Sequence, residues 1–174
     1  MAIHLIFGTQ AAGKSTYAGK LSKRFNGVHL SIDEWMQDLY VKDLPRPINF
    51  KWIMERVERC EKRIWATTKQ ISMIGGNVVL DLGFMKAADR DKYVRLAKES
   101  NILMQQYYIT APYSIRLERV LKRNYEKGKT FAFEVTPEMF NYMEREFEQP
   151  DEIELKNLKI IDTTETNHQE FSIE

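Results

Sequence analysis

Gly8-Thr9-Gln10-Ala11-Ala12-Gly13-Lys14-Ser15 satisfies every fixed position of the pattern G-x-x-x-x-G-K-[ST]. The stretch decides the fold because of what stands on either side of it. Before it, residues 2–7 (AIHLIF) form a short apolar run closed by a glycine, which reads as a buried strand. After it, residues 14–25 carry helical spacing and stop at Asn26-Gly27. In that order, a glycine-rich turn and the positive end of a helix dipole meet at one point, and that point attracts anions. The glycines let the backbone curl so that several N–H groups face inward. Lys14 is then placed to bridge the β- and γ-phosphates of a nucleoside triphosphate, and the Ser15 hydroxyl to ligate Mg2+. The expected phosphate-contacting residues are Gly8, Thr9, Gln10, Ala11, Ala12, Gly13, Lys14, Ser15 and Thr16.

The rest of the chain repeats the alternation. Further strands are expected over residues 28–32 (VHLSI), 77–82 (NVVLDL), 102–110 (ILMQQYYIT) and 158–163 (LKIIDT). Between them, helices are expected after Asp33, from Asn49 to Gly75-Gly76, and over residues 86–100, 112–124 and 137–147. The long one steps through Ile53, Val57, Cys60, Ile64, Thr68 and Ile71, three or four residues apart. Residues 44–49 read as a loop with two prolines, and Thr136 reads as an N-cap. Such a chain predicts an α/β fold, a mostly parallel five-stranded sheet covered by helices on both faces. Ligands bind such sheets at the carboxyl ends of the strands. That rule singles out residues 8–15, Asp33, residues 81–84, residues 110–111 and residues 162–163.

The 174 residues suit a single domain, with residues 112–136 as a lid and 164–174 as a peripheral tail. Composition is that of a soluble globular protein, 43% hydrophobic and 29% charged. The net charge of +1 counts against nucleic acid as a partner. One cysteine fits a reducing compartment, and no apolar run approaches the roughly 20 residues of a membrane helix. A cytoplasmic monomer or homodimer is expected.

Two aspartates attract attention. Asp81 closes the apolar run Val78-Val79-Leu80 and reads as a carboxylate for the magnesium site. Asp33 follows the second strand and has two readings. It could cap the helix that starts there. It could also accept the proton of a hydroxyl that attacks phosphorus. Glu34 is the neighbouring alternative. His4, His29 and Cys60 fall in predicted elements and read as structural. Trp35, Tyr40, Trp52 and Trp65 are expected to pack the core or line an acceptor pocket.

Arg116, Arg119 and Arg123 lie at i, i+3 and i+7 and share a helix face. Residues 112–130 hold six basic and two acidic residues, a balance of +4, whereas residues 133–154 hold eight acidic and one basic, a balance of −7. Two attracting helices would explain this. So would a lid that brings Arg119 and Arg123 over the phosphates and excludes water. Arg90 and Arg95 are weaker candidates for holding an acceptor or phosphate.

Taken together, residues 8–15, Ser31-Ile32-Asp33, the run VVLDLGF at 78–84 and Arg119 with Arg123-Asn124 resemble the small P-loop kinases labelled as AAA ATP-binding proteins. These are grouped with zeta toxin, chloramphenicol phosphotransferase and the kinase domain of polynucleotide kinase. The resemblance covers residues 1 to about 163. It implies an adenylate-kinase-like core and transfer of the γ-phosphate of ATP, or of GTP, to a hydroxyl of a small-molecule acceptor. It also implies Asp33 as the catalytic aspartate and Arg119 or Arg123 as a lid arginine. No acceptor-defining motif accompanies it. The competing readings are a polynucleotide 5′-hydroxyl kinase and a nucleotide-binding regulatory protein without transfer chemistry.

Overall fold

The computed structural model describes residues 1–127 and 134–164. Five strands, β1 Ile3–Phe7, β2 Gly27–Ser31, β3 Asn77–Asp81, β4 Met104–Thr110 and β5 Leu158–Asp162, make one sheet in the order β2-β3-β1-β4-β5. Every neighbouring pair is parallel. The helices are α1 Lys14–Arg24, α2 Ile32–Tyr40, α3 Phe50–Met73, α4 Ala87–Glu99, α5 Tyr113–Glu126, α6 Pro137–Glu146 and the short α7 Glu152–Leu155. The sequence pattern anticipates all but α7 and a 3-10 turn at Val41–Asp43, with ends shifted by one or two residues. Both unanticipated pieces are too short to show a helical period.

The strand period of two sorts side chains onto two cores. Ile3, Leu5 and Phe7 of β1, with Val78 and Leu80 of β3, face a core closed by Cys60, Ile64 and Trp65 of α3 and Tyr93 of α4. Ile6, Val79, Tyr107 and Ile109 face the opposite core, closed by Tyr17, Ala18 and Leu21 of α1. β1 is buried at all five positions, as a central parallel strand must be. A third small core of Val120, Val135 and Phe140 joins α5 to α6.

Two details position the site. Gly8 sits at φ +150°, and a Cβ there would lie 2.0 Å from the Ile109 carbonyl oxygen of β4. Only glycine lets β1 and β4 close up where the loop begins. The second detail concerns the start of α2. Its N-cap is Ser31, whose Oγ accepts from Glu34 N–H at 3.4 Å. The capping reading of Asp33 is therefore wrong, because the helix begins two residues earlier than that reading needs. Asp33 lies inside the first turn with its carboxylate free of that duty. The Thr136 cap is as expected, accepting from Met139 N–H.

Candidate functional site

The carboxyl edge of the sheet gathers the phosphate loop after β1, Asp33 after β2, Asp81 at the end of β3, and Thr163 after β5. Glycine 13 adopts φ +96° immediately before α1, so the loop turns directly into the helix N-terminus. Lys14 folds back over the loop and donates from Nζ to the carbonyls of Gly8 and Thr9, both at 3.0 Å. Its pKa is lowered by burial and by the guanidinium groups of Arg116 and Arg123, while Asp81 and Asp33 pull it the other way. A desolvated ammonium of this kind gains from an anion brought beside it.

Asp81 is buried. Burial pushes its carboxyl pKa up, yet His29, Lys14 and a hydrogen bond with Ser15 outweigh it and hold the pKa below the ordinary value. His29 Nε2 stands 3.6 Å from Asp81 Oδ2, too far for a hydrogen bond but close enough to favour the charged carboxylate. That oxygen is buried without a hydrogen-bond partner among the described residues. An anionic orphan oxygen beside a serine hydroxyl suits Mg2+, which takes one or two protein ligands with waters and phosphate oxygens. Ser15 and Asp81 could therefore hold it. Among the described residues no group of three or more His, Cys, Asp or Glu forms a dedicated metal cage.

Asp33 is open to solvent but closely flanked by protein. Partial desolvation and the negative charge of Asp81 raise its pKa, against the opposing pull of Lys14 and Arg123. Lys14 and Asp33 thus each feel the charge of Asp81 and Arg123 as well as of one another.

The arginines of α5 divide into three situations. Arg116 is buried and pairs with both carboxylate oxygens of Glu144 on α6. It also donates to the carbonyls of Ala111 at 2.8 Å and Gln10 at 3.4 Å. Arg119 donates to Thr163 Oγ1 at 2.9 Å, to the Thr163 carbonyl, and to the Ala11 carbonyl at 3.4 Å. Arg123 has a buried Nε without a hydrogen-bond partner among the described residues. Just past it, Asn124 bonds both backbone groups of Val135, at 2.8 and 3.1 Å. Residues 128–133 of the expected lid and 165–174 of the expected tail lie outside the described residues.

Arg90 stands away from this centre. It is fully buried, pairs with Glu154, and donates to the carbonyls of Phe84 and Glu148. The reading of Arg90 as a ligand-holding residue is corrected by those contacts, which use its donors inside the fold. Arg95 is exposed. The sequence reads His29 as structural and gives no sign of its neighbour Asp81, which is fixed only by the pairing of β2 with β3 that puts Ser31 beside Asp81 and His29 beside Val79.

The first half of α3 contributes a different surface. A helix of 24 residues is about 36 Å long, roughly twice the span of five-residue β3. Because α3 runs down to the amino end of β3, its beginning overhangs the carboxyl edge. There the stripe that is buried at Ile64 and Thr68 becomes exposed at Phe50 and Met54. A groove of about 630 Å³ runs along it, lined by Phe50, Met54, Val57, Glu58 and Asp89 among others.

An all-parallel five-stranded sheet with a glycine-lysine-serine loop after its central strand defines a nucleotide-binding P-loop kinase fold. Residues 3–150 match the AAA domain family, and the chain belongs to it. Solved structures agree on the fold. A putative kinase from Chloroflexus aurantiacus J-10-fl is 18% identical with a TM-score of 0.72, covering 94% of this chain and 85% of that one. Kti12 from Chaetomium thermophilum, solved in complex with ADP-AlF3, is 15% identical with a TM-score of 0.66 over 92% and 89% of the two chains. The APS kinase CysC of Mycobacterium tuberculosis, solved with AMPPNP and APS, is 16% identical with a TM-score of 0.63 over 94% and 90%. No curated protein sequence matches the chain. Among the described residues no helix is long and apolar enough to cross a membrane.

Proposed function

We propose that this protein is a kinase that transfers the γ-phosphoryl group of ATP, with Mg2+, to a hydroxyl of a small molecule. The observation that carries the reading is Asp33. It is a solvent-open carboxylate with a raised pKa, it does not cap its helix, and it senses the charge of Lys14, Asp81 and Arg123. A nucleotide-binding module without transfer chemistry has no use for a proton acceptor there.

In this reading the loop amides and Lys14 hold the triphosphate. Ser15 and Asp81 would hold the metal ion, which would supply positive charge against the phosphate oxygens. Asp33 orients the acceptor hydroxyl and takes its proton as the oxygen–phosphorus bond forms and ADP leaves. Arg123, whose Nε has no hydrogen-bond partner among the described residues, faces the charge that spreads over the transferring group. α5, which carries Arg123 beside the phosphate loop, helps to exclude water from the transfer and so suppresses hydrolysis. The acceptor lies along the groove of α3, which offers apolar surface at Phe50 and Met54 on the same edge of the sheet.

The deciding experiment is transfer from γ-labelled ATP to a panel of sugars, nucleosides, aminoglycosides and short oligonucleotides. Label in a small-molecule hydroxyl supports the reading. Label in oligonucleotides alone makes the protein a polynucleotide kinase, and ATP binding without any transfer leaves a regulatory protein.

A further inference from the structure

Each carbonyl from Gly8 to Gly13 accepts a hydrogen bond from within the protein. Gly8 and Thr9 accept from Lys14 Nζ, and Thr9 also from Ala12 N–H at 3.3 Å. Gln10 accepts from Arg116 at 3.4 Å and Ala11 from Arg119 at 3.4 Å. Ala12 accepts from Thr163 Oγ1 at 2.7 Å, and Gly13 accepts from Tyr17 N–H at 3.0 Å. Three consecutive carbonyls, those of Gln10, Ala11 and Ala12, are thus held by side chains from outside the loop.

A peptide unit is planar, so fixing its C=O in one direction fixes the adjoining N–H in the opposite one. A loop whose carbonyls are anchored outward keeps its amides turned inward before any anion arrives. It then forfeits little conformational entropy on binding. The three anchors form one assembly. Arg119 also donates to Thr163 Oγ1 at 2.9 Å, which positions that hydroxyl toward Ala12. Arg116 is held by both oxygens of Glu144, so α6 is wired to the loop as well.

We propose that Arg116, Arg119 and Thr163 are positioning residues that preorganise the phosphate loop from behind, with Glu144 setting the reach of Arg116. This inference rests on the loop binding a phosphate chain but not on the transfer chemistry. It gives Arg119 a duty separate from that of Arg123.

Tripolyphosphate is the probe, because it reports on the loop without the base or the acceptor. Calorimetric titration should show affinity five- to thirtyfold weaker in Thr163→Val, which keeps shape but removes the hydroxyl, and restored in Thr163→Ser. Glu144→Gln should weaken it by a smaller factor, and Arg116→Lys by a comparable or larger one. Amide exchange at residues 9–13 should quicken in Thr163→Val while the β1 amides keep their protection. Unchanged tripolyphosphate affinity in folded Thr163→Val and Glu144→Gln would overturn the proposal. Failure of the wild-type protein to bind tripolyphosphate or ATP would instead overturn the nucleotide reading beneath it.

Discussion

Arg90 and Glu154, 64 positions apart, form a two-pronged ion pair, with Nε and Nη2 at 2.7 and 2.8 Å from the two carboxylate oxygens. The guanidinium is fully buried between the rings of Phe7 and Phe147 and also binds the carbonyls of Phe84 and Glu148. One side chain therefore ties α4 to the strand-end segment after β3 and to the approach to β5. Removing one partner of a buried pair strands the other, at a cost of about 3–5 kcal/mol. Arg90→Ala should lose stability on that scale in urea denaturation, and Glu154→Gln should lose less. A loss under about 1 kcal/mol for Arg90→Ala would show that the pair contributes little.

His4 supplies a pH dependence. It is buried in β1, stacked 4.4 Å from Phe25, with Nδ1 against the Tyr107 hydroxyl at 3.2 Å. Burial first, and then the positive charges of Lys159 and the N-terminus, lower its pKa from 6.5 to about 4. The unfolded chain thus binds a proton that the folded chain refuses between those values. Stability should be full above pH 6.5 and should fall as pH drops toward 4, by up to about 3 kcal/mol. His4→Phe should flatten that part of the stability–pH curve. A curve identical to wild type between pH 4 and 6.5 would assign the loss to other groups.

Lys14 separates binding from folding. Its burial is unfavourable to the charge, so the ammonium adds little to the ligand-free fold. Lys14→Met should melt at or above the wild-type temperature without nucleotide. It should also lose the thermal shift that saturating Mg-ATP produces. For wild type that stabilisation is about 2.7 kcal/mol at a hundred times the dissociation constant. A preserved shift in Lys14→Met would remove the lysine from the phosphate site.

The sheet was legible in the sequence because burial on both faces leaves apolar runs such as Val78-Val79-Leu80, and because the loop motif marks the first strand and helix. The arginine helix was legible only as a face. Its balance of charge against residues 133–154 has two explanations, and the individual arginines meet different partners. Arg116 meets Glu144, which is the attraction of two helices. Arg119 meets Thr163, and the buried Nε of Arg123 has no partner among the described residues. Spacing along a helix says which side chains share a face, but not which distant element stands opposite. The partners of His29 and Arg90 stay hidden for the same reason, since they come from strand order and from a connection 64 residues away.

Asp33 carries the last prediction. Ser31 has taken the cap of α2, so an Asp33→Asn change removes charge and basicity without unseating the helix. Asparagine is nearly isosteric, and the folded protein should bind Mg-ATP with close to wild-type affinity. If anything binding should tighten, because one of the two carboxylates facing the phosphates is gone. Transfer should fall by about two to four orders of magnitude, the range for losing a positioned proton acceptor. In wild type the rate should drop as the pH falls through a pKa above the ordinary aspartate value, since partial desolvation and the charge of Asp81 both raise it. That acidic limb should vanish from the residual rate of Asp33→Asn. Glu34→Gln is the control, because Glu34 shares the helix turn. If Glu34→Gln loses the rate and Asp33→Asn keeps it, the base is Glu34. If both keep it, the carboxylates after β2 serve something other than phosphoryl transfer, and the case for a kinase rests on the loop alone.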